Sequence, residues 1–182
     1  MRRSATTSLG YALLGILLHK PSSGYEVRKI FSETPMGSFS DSPGAIYPAL
    51  ARLEERKLVR GSVDRGPGLR ERKILRLTAA GRRDLRGWLT APIERADVVS
   101  RMGELMLRFS FLDEGAGPAA TLQFLQSLAA ELQAYLPSVR AYFKNHAHEM
   151  PMSARLALAS GVMGYEARLR WVKHAVSEYR KA

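Results

Sequence analysis

The side chains best suited to acid–base or metal chemistry in this sequence are four histidines, at positions 19, 146, 148 and 174. Their spacing does not gather them. His146 and His148 stand two apart, which points them to different faces of a helix, and no histidine belongs to an H-E-x-x-H pair. The chain has no cysteine, so disulfides, thiolate metal sites and thiol redox chemistry are excluded, and a reducing cytoplasm suits it. Gly66-Pro67-Gly68 lacks the Lys and Ser/Thr of a phosphate-binding loop. No constellation for catalysis, metal or cofactor can be assembled, so a non-enzyme is expected.

The residues instead offer contact with a polyanion. Net charge is +11, carried as +9 by residues 1–90 and +2 by residues 91–182. A basic half beside a nearly neutral half is the footprint of one module facing nucleic acid and another facing protein. Within the basic half, the helical spacing of Ile46, Leu50 and Leu53 turns Pro48, Ala51, Arg52 and Glu55 outward, with Tyr47 on the flank. Ser42, Ala45, Tyr47, Pro48, Ala49 and Arg52 are therefore expected on the exposed early turns. Small residues let such a helix enter the major groove, Tyr47 offers a phenol to phosphate or sugar, and Arg52 can reach phosphate or a guanine edge. Glu54 and Glu55 should repel phosphate and mark the end of the footprint. Arg65, Arg70, Arg72 and Lys73 crowd a second candidate contact.

These residues need elements to hold them. Leu9, Leu13, Ile16 and Leu17 define one face of a first helix ended by Pro21. Ser23 to Glu26 is a capping box opening a second, with Val27, Ile30 and Phe31 on its buried side. Residues 33–44 read as a loop. Ser42 as N-cap and Pro43 at the first helical position open the third helix, which Pro48 should delay or bend. LVRGSVD, the turn at residues 65–68 and RERKILRL make a two-stranded hairpin. Thr78 caps a fourth helix carrying Gly81, Leu85, Trp88 and Leu89. Three helices and a basic hairpin describe a winged helix, with the third helix as reader and the hairpin as wing. The short apolar run YALLGILL near the N-terminus looks like a signal segment but lacks a small-x-small cleavage site, so it reads as a core helix.

The second half reads as mainly helical: residues 91–97 as a connector, one helix from about Val98 to Phe111, a break at DEGAGP, then two long helices turning at Met150-Pro151. Pro137 should kink the first of these. Leu122, Leu125, Leu132, Leu136, Val139 and Phe143, and then Leu158, Val162, Tyr165, Leu169, Val172 and Val176, recur at spacings near 3.5, the seam of a coiled coil or antiparallel helix pair. They are the expected dimerisation surface. Trp88, Met102, Met106, Phe109 and Trp171 could line a hydrophobic cavity, although Met and aromatic residues at helical spacing more often form plain core. The expectation is a mainly α protein with a winged-helix domain at 1–90, the connector, and a helical dimerisation and sensing module at 98–182.

SLGYALLGILLHKPSSGYEV, SPGAIYPALARLEERKLV and LRLTAAGRRDLRGWL resemble, in order and spacing, successive signatures of the PadR family over residues 9–89. IYPALARLE is the strongest of them. Gly161, Gly164-Tyr165-Glu166 and Trp171 more loosely resemble the helical C-terminal module of longer members. The resemblance implies a repressor-like homodimer on a near-palindromic operator, often tuned by a small hydrophobic or aromatic effector. Two departures stand out: Lys57 where members often have Gly, and Ile74-Leu75 where the second wing strand frequently has an aromatic. The competing readings are a protein-interaction adaptor, favoured by the long arms, and a nonspecific architectural DNA-binding protein.

Overall fold

The computed structural model describes residues 6–34, 36, 42–64 and 71–181. Arg65, Arg70 and most of the loop at 35–41 lie outside them. The chain divides into two compact units, residues 1–90 with 110–116, and residues 91–109 with 117–182.

In the first unit α1 (Ser8–His19) opens where the Thr7 hydroxyl accepts from the Gly10 N–H at 3.2 Å. Rather than burying one stripe it buries Ala12, Leu13, Leu14, Gly15, Ile16 and Leu17, as a helix surrounded by protein does. Pro21 ends it, and the next two residues form β1 (Ser22–Ser23). β1 is too short to show any alternation, and the sequence reading missed it. α2 (Gly24–Glu33) starts on the expected capping box: Glu26 accepts from the Ser23 N–H at 2.7 Å while the Ser23 hydroxyl accepts from the Glu26 N–H at 3.2 Å. Those bonds to Ser23 hold the Glu26 carboxyl below its ordinary value.

α3 (Pro43–Glu55) runs through Pro48 without interruption, so the proline neither delays nor ends the helix. Its far end closes as a Schellman motif, with Leu58 N–H on the Leu53 carbonyl at 2.9 Å and Lys57 N–H on the Glu54 carbonyl at 2.8 Å. Lys57 takes the left-handed conformation there, at φ 59°. β2 (Val59–Asp64) and β3 (Arg72–Leu77) pair antiparallel as the hairpin, and β1 adds to the other side of β3, giving the order β1-β3-β2. Thr78 then caps α4 (Ala79–Leu89), accepting from the Gly81 N–H at 3.0 Å. The core gathers the buried residues of α1 with Val27, Phe31, Ile46, Leu50, Leu53, Leu75, Leu85 and Leu89.

The connector and the single helix expected over 91–111 are both revised. α5 (Arg95–Ser100) forms inside that span, the chain breaks at Arg101, and α6 (Met102–Ala116) continues through Asp113 and Glu114. A box between Glu94 and Asp97 starts α5, a charged version of the Ser-Glu signature. Gly117, at φ 91°, makes the turn near the end of the expected DEGAGP break. The last turns of α6 belong to the first unit. Phe111 lies on Gly15 of α1, where a β-carbon would come within 2.4 Å of the ring, and Leu112 is fully buried.

In the second unit α7 (Pro118–His146) and α8 (Met152–Lys181) form an antiparallel hairpin through the 3₁₀ turn Ala147–Glu149. Tyr135 of α7 meets Tyr165 of α8 edge to face at 5.1 Å, and Arg140 pairs with Glu166 at 2.6 Å. Leu125, Leu132, Leu136 and Val172 are buried within the single chain. They are thus intrachain core, because a helix hairpin uses the same 3.5-residue spacing as an intersubunit seam. The flanking Leu122, Val139, Phe143, Leu158, Val162, Tyr165, Leu169 and Val176 stay half-buried. Arg108 is also buried; its guanidinium donates to the Ala91 carbonyl and lies 5.1 Å from the Phe124 ring centre. Desolvation lowers its pKa, and Asp97 and Glu104 oppose that.

Candidate nucleic-acid interface

The face of α3 turned away from the core is small and mostly uncharged. Ser42, Pro43 and Gly44 are exposed, Ala45 is half-buried, and Pro48 and Ala51 are exposed. Ser42 occupies the N-cap position, but its hydroxyl does not bond the first-turn N–H groups. Ala49 departs from expectation: it is 3% exposed. It lies three residues beyond Ile46, which puts it on the core side of the helix.

Tyr47 is 45% exposed. Its ring passes over Gly24 at the start of α2, where a β-carbon would come within 2.7 Å of Cε1. The phenol is thus held against a second helix while its outer side stays free. Arg52 is exposed, and with Thr6, Thr7, Gly10, Ala49, Leu53 and Arg56 it lines a cavity of about 80 Å³ between α3 and the start of α1. Arg56 is tied to that edge, donating to the Thr6 hydroxyl at 2.7 Å.

On the hairpin, Arg72 is exposed. Lys73 is exposed and paired at the surface: its ammonium lies 2.7 Å from the Glu54 carboxylate. Lys73 was expected as a free cation for DNA and Glu54 as a repulsive end marker. Period-two alternation sets Lys73 on the side of the strand facing α3, and the two charges satisfy each other.

The sequence reading missed three candidates. Arg60 and Arg76 are register partners on β2 and β3, both exposed. Like charges directly opposite on a sheet are unfavourable without a counter-charge, and the alternation that placed Arg72 could have flagged them. Tyr25, 65% exposed in the first turn of α2, sits opposite the buried Val27 side, where a large aromatic is out of place on packing grounds.

The histidines are dispersed. His19 lies 3.3 Å from Glu114, His146 Nδ1 lies 2.9 Å from the Tyr142 carbonyl, and His148 pairs with Glu149 at 3.5 Å. Among the described residues no cluster of three metal-ligating side chains occurs, and no helix is long and apolar enough to cross a membrane. Of the aromatic residues considered for an effector, Trp88 stacks on Tyr11 in the first unit at 4.4 Å. In the second unit Phe109 stacks on Phe124 at 6.3 Å and meets Trp171 edge-on at 5.4 Å, with Met102 and Met106 half-buried on the same helix as Phe109.

Residues 13–87 match the model of the Transcriptional regulator PadR-like family. Solved structures similar to the chain include Bacillus subtilis PadR in complex with operator DNA, at 19% identity and a TM-score of 0.43, covering 95% of this chain and 99% of that chain. A PadR-like transcriptional regulator from Bacillus cereus is similar at 22% identity and a TM-score of 0.40, covering 93% and 94%. Bacillus subtilis PadR in complex with p-coumaric acid is similar at 21% identity and a TM-score of 0.41, covering 96% and 99%. No curated protein matches the sequence. The match over residues 13–87, which hold the third helix and the hairpin, identifies this segment of the chain as a PadR-like transcriptional-regulator module.

Proposed function

We propose that this regulator reads a specific, near-palindromic operator as a homodimer and acts as a repressor. The observation that carries the reading is the exposed face of α3, small at Gly44, Pro48 and Ala51 and flanked by Tyr47 and Arg52. Such a face fits the major groove, while Arg72 and the other wing arginines meet the backbone. The homodimer is supported by a second apolar stripe on α8. Met152, Leu156, Met163 and Trp171 are exposed at 64%, 59%, 66% and 38%, and their spacings of four, seven and eight put them on one face. Leu158, two residues from Leu156, falls on the opposite side. A soluble protein rarely leaves such a stripe uncovered, and a second copy brings the same stripe to meet it. Met102, Met106, Phe109 and Trp171 are the side chains we assign to a small hydrophobic or aromatic effector.

Selection of bound sequences from random duplexes, followed by competition with nonspecific DNA, tests the reading. A single two-fold motif preferred by roughly 10³-fold or more is expected. Equal affinity for all sequences would favour an architectural binder, and no binding would favour an adaptor.

A further inference from the structure

Glu54 is on the reader helix, yet both of its carboxylate oxygens are committed to the wing. Oε1 accepts from the Gly61 N–H at 3.2 Å and Oε2 from the Lys73 ammonium at 2.7 Å. Among the described residues β2 pairs only with β3, so its outer edge has backbone donors that no described strand satisfies. Glu54 takes one of them. A side chain at residue 61 would displace this pair, since a β-carbon there would come within 2.2 Å of Lys73 Cε and 2.8 Å of Glu54 Oε1. The Lys73 bond also holds the Glu54 carboxyl below its ordinary value, so it is ionised at neutral pH.

We propose that Glu54 is a positioning residue that fixes the wing to the reader helix by holding the β2 edge and the β3 ammonium at once. This rests on reading α3 and the hairpin as one DNA-contacting surface. The ion pair adds no net charge to that surface, so its contribution is geometric. It sets where the wing cations stand when the reader helix is seated in the groove.

The idea makes a prediction opposite in sign to simple electrostatics. Removing a negative charge from a DNA-facing helix should tighten binding if Glu54 only repels phosphate. Removing a clamp should loosen it. In the full chain, Glu54→Ala, Glu54→Gln and Lys73→Met are compared by two measurements: amide hydrogen exchange at Gly61 in DNA-free protein, and operator affinity against salt. For Glu54→Ala, Gly61 exchange should quicken by roughly 5- to 30-fold, the factor for a local loss of one or two bonds of ordinary strength. Affinity should fall and the log K against log salt slope should flatten as wing cations leave the phosphates. Glu54→Gln keeps an acceptor for Gly61 and should fall between Ala and the parent. Lys73→Met should quicken Gly61 exchange as well.

Tighter binding by Glu54→Ala with an unchanged or steeper slope would overturn the proposal. So would Gly61 exchange that no variant alters. Lys73→Met lowering the slope by about 0.9 with Gly61 exchange untouched would restore Lys73 as a direct phosphate contact. If the parent chain binds no DNA, the regulatory reading fails on its own, and Gly61 exchange still decides whether the clamp exists.

Discussion

Lys57 sits where the Schellman motif wants a residue free to turn left-handed, at φ 59°. The sequence made it conspicuous as a departure from a family pattern, and the structure shows that the turn is kept regardless. The strain is carried rather than avoided. Lys57→Gly should therefore stabilise the protein by about 0.5–1 kcal/mol, the left-handed penalty less the added freedom of glycine in the unfolded chain. Chemical denaturation should show the midpoint rising with the m-value unchanged. At the reader face, Arg52→Ala should lose ~1–3 kcal/mol of discrimination at one base step if the guanidinium reaches a guanine edge. Tyr47→Phe should weaken all sequences alike if the phenol meets phosphate. Binding-site selection with each variant, checked by circular dichroism, separates the two. Residue identity and outward direction were legible at these positions because helical spacing alone sets them. Ala49, placed on the exposed turns by spacing, is buried because it lies at the margin of a face where a neighbouring element decides burial, and the ion pair of Lys73 with Glu54 joins two elements, which spacing within either one does not give.

Two helix starts could be read almost to the residue, since Ser23 and Thr78 each announce one through a bond to a backbone N–H three residues on. β1 could not, being two residues held only by pairing with Leu75 and Ile74, over fifty positions away. The break at Arg101 was equally hidden, because no Gly or Pro stands there and tertiary packing outweighs weak propensity. α8 gives the clearest lesson at this scale. Its 3.5-residue seam was found, but a seam does not say whether its partner is the same chain or another. What supports a second copy as a partner is the opposite, exposed stripe of Met152, Leu156 and Met163. Leu156→Lys with Met163→Lys should turn the proposed dimer into a monomer by sedimentation while leaving the helix content intact, and operator affinity should drop steeply as the second half-site becomes an independent event. A dimer that survives both charges would place the interface elsewhere.

The whole molecule is not divided where its sequence patterns change. Signatures of the winged helix end near Leu89, yet Phe111 and Leu112 complete the first unit's core from α6. Periodicity cannot reveal such a contact, since it reports faces within an element and not which element covers them. A fragment ending near Leu89, which the sequence suggests as a self-sufficient domain, would leave Gly15 and its neighbours on α1 exposed. In the full chain, Phe111→Ala should cost the first unit about 3–5 kcal/mol. The chain's two tryptophans, Trp88 and Trp171, fall one in each unit. In a Trp171→Phe background, Trp88 emission should therefore follow the loss, and an unchanged midpoint would show that α6 is not part of this core.

The same contact has a consequence for the order in which the protein is made. A chain emerging from the ribosome has every residue proposed to read DNA in hand by residue 77, but not the side chains that close the core around α1. At the ~5–20 residues per second of synthesis, residues 78–116 take on the order of a few seconds more. During that interval α1 is without the aromatic ring that covers Gly15, and the reader helix is attached to an unfinished core. The newborn regulator therefore has a built-in delay between possessing its recognition sequence and being able to hold it in shape.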